Sequence, residues 1–324
     1  MRVPRLAAID RAIARRWKPF DRGDRDQWLV CEGSAFARFV ACMHYRWPWT
    51  RGQWRLLSTL GRIPVARRQL SAVAFRSRRG VPLRLDMTSD HFLHISGRLS
   101  PEPFEIAVMA RVVREGDLFV DVGAHWGLYV PHVLPSLGPS GNYLAIEPSA
   151  GNCALLRRTF AQAERFRLVQ AAIGERSGSA KLLRSGSSEA YIGEAEDGEA
   201  VEVMRLDGLL SDADAQRPVV IKVDTEGMES AVVRGCSALR ERGIRPVFLL
   251  EFLPALHGQS RENVVEAIHA TFGADYGLWG LEPREAALIP LPPGASVPST
   301  VRNILAVPPE LRSRLEATGL PSAG

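Results

Sequence analysis

Short apolar runs alternate with longer segments that carry apolar residues at helical spacing through most of this chain. The runs, which are rich in Val, Ile and Leu, lie at 118–122, 143–146, 166–169, 219–223 and 247–250. Apolar runs of this length predict strands buried on both faces, and strands separated by helices predict βαβ units. We therefore predict an α/β fold around a mostly parallel sheet.

The segments between these runs predict the helices that cover the sheet. An apolar stripe at helical spacing occupies 103–114, and we predict further helices at 126–137, 150–163, 227–242 and 261–272.

Other segments predict additions to this core. Tyr276–Leu281 and Asn303–Val307 predict antiparallel strands that close the sheet. Val201–Arg205 predicts an extra edge strand, whereas 184–200, rich in Gly, Ser and Glu, predicts a loop.

The N-terminal region follows another pattern and predicts a small helical extension. Helical spacing of apolar residues predicts helices at 5–17 and 26–46, and a short alternating strand follows at Val81–Leu85. The predicted organisation is an extension at 1–80, a main domain at 81–310 and a C-terminal tail at 311–324.

Charge is distributed unevenly along the chain. The first 80 residues hold 18 Lys and Arg against 5 Asp and Glu, and five of the seven tryptophans, whereas the remainder is acidic. Such a segment can bind nucleic acid, an anionic membrane or an acidic partner. One alternative is that these charges form a solvated helical face. A further possibility is that the aromatic residues pack on the main domain or on a second subunit of a homo-oligomer.

Composition places the chain among globular proteins, with 46% apolar and 24% charged residues. No run approaches the length of about 18 apolar residues that a transmembrane helix needs, and no apolar segment follows the N-terminal arginines as in a secretory signal. The four cysteines are widely spaced and form no CxxC pair, so neither a zinc site nor a disulfide framework is indicated. We expect a cytoplasmic protein.

The segment Asp121-Val122-Gly123-Ala124-His125-Trp126-Gly127 runs from a predicted strand into a predicted helix. Glycine lets the backbone approach a ligand closely, and a helix N-terminus offers free N–H groups. Glu147, followed by Pro148, ends the next strand 20 residues after Gly127, where a carboxylate can accept both hydroxyl protons of a ribose. Because His125 stands where a GxGxxG segment has glycine, a nucleoside without pyrophosphate is favoured over a nicotinamide dinucleotide.

The apolar strand Val219–Val223 contains or precedes four charged residues, namely Lys222, Asp224, Glu226 and Glu229. Ligands of open α/β sheets bind beyond the carboxyl ends of the strands, so Asp224 and Glu226 should face the same crevice as the first motif. Lys222 lies inside an apolar strand and should pair with a carboxylate, either Asp224 or Glu251. The alternative is a charge network that only caps the following helix.

Together these motifs resemble the FkbM family of class I methyltransferases over about residues 80–255. The matching segments are Asp121–Gly127, Glu147-Pro148, Ala171–Gly174, Arg205–Asp207, Ile221–Glu229 and Phe248–Glu251, with a weaker match at Asn303–Ala306. The resemblance implies a Rossmann-like class I fold with a mostly parallel seven-stranded sheet and an antiparallel last strand. It also implies S-adenosylmethionine as methyl donor and O-methylation of a hydroxyl on a sugar, glycan, glycolipid or natural product.

The resemblance further implies roles for single residues. Glu147, next to Pro148, would hold the ribose of the donor, and Glu102 would approach the donor. The residues expected along its methionine part are Asp121, Gly123, Ala124, His125 and Gly127. Those expected beside its adenine are Gln170, Ala171 and Ala172.

This chain departs from the family pattern at one position of the first motif. His125 replaces the family's asparagine and Trp126 follows it, which can reshape the methionine pocket. Residues 1–80 lie outside the resemblance.

For catalysis we assign Asp224 the task of orienting or deprotonating the acceptor hydroxyl, because transfer to oxygen benefits from a base. Glu226 and Lys222 would set its charge and position. His257 is a second candidate base, for which a structural role is favoured. No metal is predicted, although Asp224 and Glu226 could instead bind Mg²⁺.

Two other functions remain open at this point. The basic extension could serve a nucleic-acid methyltransferase, although the carboxylates after the strand at 219–223 would repel a phosphate backbone. A non-catalytic cofactor-binding or scaffold protein would have His125 or Trp126 filling the donor pocket. The favoured partner is a small-molecule or glycan acceptor, with the extension near an anionic membrane.

Overall fold

The computed structural model describes residues 29–46, 53–71, 73–76, 81–88, 103–185, 189–193, 198–251, 261–283, 285–293, 297–298 and 300–320. The helix predicted at 5–17 lies outside the described residues, as do Glu102 and His257. The chain divides into an N-terminal unit, Met1–Pro103 with Arg284–Ala286, and a C-terminal unit, Phe104–Pro283 with Ala287–Gly324.

The N-terminal unit combines helices with a three-stranded antiparallel sheet in which the second strand is central. Its described elements are β1 (Leu29–Glu32), α1 (Ala35–Arg46), α2 (Gln53–Gly61), α3 (Pro64–Leu70), β2 (Val73–Arg76) and β3 (Pro82–Leu85). Ser34 caps α1 by accepting the backbone N–H of Ala37 at 3.0 Å. Pro64 begins α3, where its missing N–H leaves no helical hydrogen bond unmade.

The prediction of one helix over 26–46 is wrong at its start, because Leu29–Glu32 is a strand. Val30 lies opposite Phe75 in the antiparallel pair with β2. A partner so distant in sequence is invisible to local apolar spacing. The strand predicted at Val81–Leu85 is present as β3 and pairs with β2.

The C-terminal unit holds most of the regular structure. Its helices are α4 (Pro103–Val112), α5 (Val130–Val133), α6 (Ala150–Phe160), α7 (Asp212–Ala215), α8 (Glu229–Arg234), α9 (Ser237–Glu241), α10 (Arg261–Phe272) and α11 (Arg312–Glu316). Its strands are β4 (Leu118–Val122), β5 (Asn142–Ile146), β6 (Phe166–Val169), β7 (Ala172–Ile173), β8 (Gly178–Ser185), β9 (Glu189–Gly193), β10 (Glu199–Met204), β11 (Val219–Val223), β12 (Val247–Glu251), β13 (Gly277–Glu282), β14 (Ala287–Pro290) and β15 (Asn303–Val307).

An eight-stranded mixed sheet forms the centre of this unit, in the order β14-β13-β15-β12-β11-β4-β5-β6. Strands β12, β11, β4, β5 and β6 run parallel, and β15 is antiparallel to both β12 and β13. The predicted α/β class and its antiparallel closing strands are confirmed. Strand β14 adds an eighth strand to the seven predicted.

The central strands are apolar because both of their faces are covered. All five residues of β4 and of β11 are buried. Side chains from these strands share one core with α8, α9 and α10, as Ile221, Val232 and Ile268 illustrate. This continuous burial is why the strands are recognisable in the sequence as apolar runs, interrupted only by Asp121 in β4 and Lys222 in β11.

A second, four-stranded sheet has the order β7-β10-β8-β9. Its strand β10 was predicted as an edge strand at Val201–Arg205, but it lies between β7 and β8. The loop predicted at 184–200 is wrong, because the end of β8 and all of β9 fall within it. Gly and Ser residues lower strand propensity, and here cross-strand pairing overrides that local preference.

Two predicted helices are shorter or broken in the structure. The helix expected at 126–137 is reduced to α5, because His125 and Gly127 adopt positive φ values of 51° and 87°. The helix expected at 227–242 is divided into α8 and α9 after Gly235. No helix among the described residues is long and apolar enough to cross a membrane.

The break at Gly235 coincides with a close backbone contact. A Cβ placed on Gly235 would lie 2.2 Å from the carbonyl oxygen of Gly174, next to β7. The φ of Gly235 is −67°, which any residue adopts in a helix. Space, rather than backbone conformation, therefore requires glycine here.

We predict that Gly235→Ala lowers the free energy of unfolding by about 1–3 kcal/mol, because the new methyl group overpacks the contact with Gly174. Urea unfolding followed by circular dichroism measures this change. Gly208→Ala is the control, since a Cβ there meets nothing within 4 Å. Without the close contact, alanine at a helical φ would stabilise the protein, so an increase in stability would contradict the prediction.

Candidate active site

The loops after β4, β5, β6 and β11 lie along one edge of the large sheet, because these strands are parallel and end on the same side. A pocket opens at this edge. The apolar residues that line it are Val122, Pro148, Ala171, Ala172, Ile173, Leu182, Ile192 and Met228. The remaining lining residues are Gly123, His125, Glu147, Asn152, Asp224, Thr225 and Glu226.

The order of the strands in the sheet determines which residues lie at each end of the pocket. Asp224 and Glu226 follow β11, Gly123 follows β4, Glu147 follows β5 and Ala171 follows β6. The pocket therefore runs from an acidic end at β11, past the buried carboxylate of Glu147, to an apolar end at β6. This arrangement of polar and apolar surfaces along the pocket suits an elongated ligand with a polar end, a central hydroxyl-bearing ring and a flat apolar end.

Glu147 is almost completely buried and is surrounded by hydrogen-bond donors. Its Oε1 accepts from the Ser149 backbone N–H at 2.9 Å and from Asn152 Nδ2 at 3.1 Å, and its Oε2 accepts from the His125 N–H at 2.9 Å. Each carboxylate oxygen can accept two hydrogen bonds, so Oε2 retains one accepting position toward the pocket. The ribose-binding role expected of this carboxylate remains a prediction.

Competing effects set the protonation of Glu147. Burial raises the pKa of Glu147 above its usual value, while hydrogen bonds from Ser149, Asn152 and His125 and the charge of Lys222 pull it back part of the way. A buried carboxylate of this kind becomes protonated at a higher pH than an exposed one.

Gly123 allows the loops after β4 and β11 to touch. A Cβ on Gly123 would lie 1.8 Å from the carbonyl oxygen of Asp224, and its φ is +79°. The Asp224 N–H in turn donates to the Val122 carbonyl at 3.0 Å. Any side chain at position 123 would separate the two loops that form the acidic end of the pocket.

The two neighbouring loops also contain non-glycine residues in the left-handed region. His125 has φ 51° and Glu226 has φ 52°. Such conformations are uncommon outside glycine and cluster at ligand-binding sites. Both residues line the pocket.

Lys222 is buried beneath the pocket and joins both loops. Its ammonium donates to Asp224 Oδ2 at 3.0 Å and to the Gly123 carbonyl at 3.1 Å, and it lies 3.4 Å from Asp121 Oδ1. It also lies 5.2 Å from the centre of the Tyr129 ring, within range of a cation–π interaction. The predicted pairing of Lys222 with Asp224 is confirmed.

Asp121 faces this ammonium because the parallel register places the two residues directly opposite each other on β4 and β11. Its Oδ2 accepts a hydrogen bond from the Tyr143 hydroxyl at 2.5 Å. Burial, followed by the charge of Asp121, raises the pKa of Tyr143 well above its usual range, so the phenol remains a donor. Asp121 is therefore held below the pocket and is not among its lining residues.

Asp224 remains ionised at the acidic end of the pocket. Burial alone would raise the pKa of Asp224, but the Lys222 ammonium, a hydrogen bond with Glu251 and the charge of His125 lower it to about 2. A carboxylate with so low a pKa is a good hydrogen-bond acceptor and a weak base. The geometry thus favours orientation of an acceptor hydroxyl over its deprotonation.

Glu229 stabilises the loop after β11 from below. Its Oε1 accepts from the backbone N–H groups of Thr225 and Gly227, both at 3.1 Å, and from Thr225 Oγ1 at 3.0 Å. Burial raises the pKa of Glu229, and these hydrogen bonds oppose that effect. The capping role considered from the sequence is the one that its contacts support.

Three carboxylates, those of Asp224, Glu226 and Glu251, each place an oxygen within 4.8 Å of the others. Hard cations such as Mg²⁺ prefer oxygen ligands of this kind. However, Lys222 already supplies a positive charge 3.0 Å from Asp224. Neutralisation of Asp224 therefore does not require a metal ion.

Residues 121–272 match the family model of the Methyltransferase FkbM domain. Over these residues the chain is similar to the FkbM methyltransferase domain. The resemblance drawn from the sequence motifs is confirmed, and the matched region includes β4, β5, β6, β11 and β12. None of the curated proteins matches this sequence significantly.

Several solved structures are similar to this chain. The methyltransferase FkbM from Methylobacillus flagellatus is 16% identical, with 68% of this chain and 53% of that protein covered and a TM-score of 0.40. The match therefore spans about half of that protein. An S-adenosylmethionine-dependent O-methyltransferase from Thermotoga maritima is 14% identical, with coverages of 74% and 78% and a TM-score of 0.35. Fibrillarin from Aeropyrum pernix, solved with S-adenosylmethionine, is 11% identical, with coverages of 63% and 73% and a TM-score of 0.35.

The pocket of the FkbM domain brings together many of the predicted site residues. Those that line it are Gly123, His125, Glu147, Pro148, Ala171, Ala172, Asp224 and Glu226. Asp121, Ala124, Gly127, Gln170 and Lys222 do not line it. Gly127 instead packs on α6, where a Cβ would lie 2.9 Å from Leu156 Cδ2. Gln170 accepts a hydrogen bond from Arg157 at 3.2 Å.

Sequence reasoning missed several lining residues of the FkbM domain. Asn152 is the third residue of α6, and its side-chain amide donates a hydrogen bond to Glu147. In the sequence, only the spacing of five residues between Asn152 and Glu147 indicates this contact. Leu182 and Ile192 enter from the small sheet, which the Gly/Ser-rich composition concealed. Thr225 and Met228 lie within the predicted charged cluster, but they were not predicted as site residues because they are uncharged.

We predict that Lys222→Met lowers the free energy of unfolding by about 3–5 kcal/mol, because it leaves the buried Asp121 carboxylate without its cation. Urea unfolding of the purified protein measures the change. Arg234→Met is the control, because it breaks an ion pair with Glu175 whose side chains are both 45% exposed, and it should have little effect. Equal stabilities of the two variants would contradict a central role for Lys222.

Proposed function

We propose that this protein transfers a methyl group from S-adenosylmethionine to a hydroxyl oxygen of a small molecule or glycan. The observation that carries the proposal is the pocket at the edge of the sheet. It joins an apolar end, a buried carboxylate with one open accepting position and an ionised carboxylate in a single cleft. The match to the FkbM domain supports methyl transfer as the reaction class.

The residues present fit this donor. Glu147 Oε2 would accept one ribose hydroxyl, and the side-chain oxygen of Asn152, which lines the same pocket, would accept the other. Ala171 and Ala172 would lie beside the adenine, and His125 would lie near the methionine part. Small side chains at 171 and 172 leave room for a flat base.

S-adenosylmethionine supplies an electrophilic methyl group on a sulfonium centre. The acceptor oxygen would form a C–O bond as the C–S bond of the donor breaks, which releases S-adenosylhomocysteine, and the hydroxyl proton would pass to solvent water. Asp224, ionised and lining the pocket, would accept a hydrogen bond from this hydroxyl and hold its oxygen in line. Lys222 positions Asp224 from below through their 3.0 Å contact.

The acceptor would enter at the acidic end of the pocket. Thr225, Glu226 and Met228 line this end beside Asp224. Carboxylates and a hydroxyl suit an acceptor with several hydroxyl groups, such as a sugar or a polyhydroxylated natural product. A phosphodiester backbone would meet negative charge on Asp224 and Glu226, which disfavours a nucleic-acid acceptor.

The non-catalytic alternative requires a filled donor pocket. Trp126 is buried and does not line the pocket. The His125 backbone supports Glu147, the residue that would hold the ribose. These placements favour a pocket that binds the donor.

We predict that the wild-type protein binds S-adenosylmethionine and S-adenosylhomocysteine in calorimetric titrations. Glu147→Gln should weaken both about 10–100-fold, because the amide replaces a charged acceptor of the ribose hydroxyl. In the wild type, affinity should fall as the pH is lowered through the raised pKa of Glu147, because only the ionised side chain accepts without donating. Glu147→Gln should remove that pH dependence.

Glu202→Gln is the matched control, since Glu202 is an exposed glutamate on β10. It should bind both compounds as the wild type does. Failure of the wild type to bind either compound would overturn the proposal. Binding that Glu147→Gln leaves unchanged would show that the donor lies elsewhere.

A further inference from the structure

The small sheet contributes a cross-strand pair of apolar side chains to the pocket. Leu182 on β8 lies directly opposite Ile192 on β9 in the antiparallel register. Both line the pocket together with Ala172. Directly opposite residues of an antiparallel pair project from the same face of a sheet, so Leu182 and Ile192 form one continuous apolar surface.

The other face of the same hairpin is turned away from the pocket. Leu183 and Tyr191 are the next opposite pair, and neither lines the pocket. Successive residues of a strand point to opposite faces, which explains the difference. Leu182 packs with Ala172 and Val201 in a small core of its own, so its position is fixed by neighbours within this sheet.

The small sheet is also attached to the ribose side of the pocket. Glu199, the first residue of β10, accepts the backbone N–H of Ala150 at 3.1 Å, at the start of α6. Ala150 lies three residues after Glu147. The apolar pair therefore stands at a fixed place beyond Glu147 and next to Ala171 and Ala172, which follow β6.

We propose that Leu182 and Ile192 form the wall against which the adenine of the methyl donor packs. The proposal rests on the proposed donor, and it adds a contribution from an inserted sheet to the site built by the parallel strands. An aromatic base gains from apolar contact on its face, and no charged side chain lines this end of the pocket among the described residues. The wall selects for a flat base rather than for the amino-acid part.

Calorimetric titration of the full chain tests the wall with two probes, S-adenosylhomocysteine and 5′-methylthioadenosine. The second probe keeps the adenosine and lacks the amino-acid part. Leu182→Ala and Ile192→Ala should each weaken both probes by the same factor of about ten, because apolar contact with the base is lost. Leu183→Ala shortens a neighbouring leucine on the opposite face and should leave both affinities unchanged.

The outcomes separate the wall from the proposed function. Normal binding by the wild type with no loss in Leu182→Ala and Ile192→Ala would overturn the wall alone. An equal loss in Leu183→Ala would do the same, because it would indicate a general effect on the sheet. A loss for S-adenosylhomocysteine without one for 5′-methylthioadenosine would place the pair at the amino-acid end. Absence of binding by the wild type would overturn the proposed function and the wall with it.

A different observation concerns the surface of the N-terminal unit. The large apolar side chains that are exposed among the described residues all belong to this unit: Phe39, Met43, Leu56, Ile63 and Val65. Phe39 and Met43 are four residues apart on α1 and share a face, while Ala37, Val40 and Ala41 on that helix are buried. Ile63 and Val65 stand at the start of α3. Exposed apolar groups at this density mark a surface that contacts something.

The same segment is strongly basic. Residues 33–71 contain seven arginines and no acidic residue. Arg38, Arg55, Arg62, Arg67 and Arg68 are exposed. A segment that exposes both apolar side chains and arginines suits an anionic lipid surface, because apolar groups can enter the acyl boundary while arginines contact the headgroups. Four of the five apolar side chains are aliphatic and cannot stack on bases as aromatic side chains do, which disfavours single-stranded nucleic acid.

We propose that the described helices α1, α2 and α3 dock the protein on the surface of an anionic membrane. Phe39, Met43 and Val65 would enter the headgroup region, and the arginines would contact lipid phosphates. The proposed association is a peripheral and reversible one at the membrane surface.

Co-sedimentation of the full chain with vesicles tests this surface. The protein should pellet with vesicles that contain phosphatidylglycerol, should remain in solution with phosphatidylcholine alone, and should be released by high salt. Phe39→Ser should weaken the association, and Arg67→Glu should weaken it about tenfold or more. Arg302→Glu is the control, because it makes the same charge change at an exposed position of the C-terminal unit.

Unchanged pelleting of Phe39→Ser and Arg67→Glu would overturn the proposal, as would equal binding to neutral vesicles. An equal loss of vesicle binding in Arg302→Glu would show that only the net charge matters, and it would also overturn the proposal. Absence of pelleting combined with salt-sensitive binding to an RNA homopolymer would assign the surface to nucleic acid instead.

Discussion

The buried ammonium of Lys222 is the interaction on which the rest of the site depends. It lies within the central strand of the sheet, where an unpaired charge would be unfavourable. Its partners are the Asp121 and Asp224 carboxylates and the Gly123 carbonyl, which belong to two adjacent strands and their loops. One cation therefore joins the exits of β4 and β11, and it keeps the pKa of Asp224 low. The interior charge of the sheet and the charge presented to the ligand are thus parts of one network.

Backbone geometry then gives the pocket its shape around that network. Gly123 allows the Asp224 carbonyl to approach so closely that no Cβ would fit between them. His125, in the left-handed region, directs its N–H to Glu147. The donors around Glu147 are backbone N–H groups and one amide, so a carboxylate that burial would neutralise retains acceptor character. A nucleoside can therefore exchange its hydroxyl contacts with water for contacts with a carboxylate that is already in position.

The region that matches the FkbM domain supplies both this edge of the sheet and the surfaces around it. The four-stranded sheet presents Leu182 and Ile192 at the apolar end, and the loop after β11 presents Thr225, Glu226 and Met228 at the acidic end. The donor would depend on the first and the acceptor on the second. The N-terminal unit, with its arginines and exposed apolar residues, holds the basic charge for which the proposed methyl transfer gives no reason.

The sequence by itself determined the strands β4, β6, β11 and β15 to the residue, because each is a short run dominated by Val, Ile, Leu, Phe or Ala. It also determined the motif residues at the strand ends, since parallel strands present their exits at one edge. Only the tertiary structure decided that Asp121 faces Lys222 instead of the ligand, because the register between strands is a long-range property. The same holds for Leu182 and Ile192, whose pairing across a hairpin selects the face toward the pocket. The requirement for glycine at position 235 likewise depends on a distant partner, the carbonyl of Gly174, which no local pattern of residues reveals.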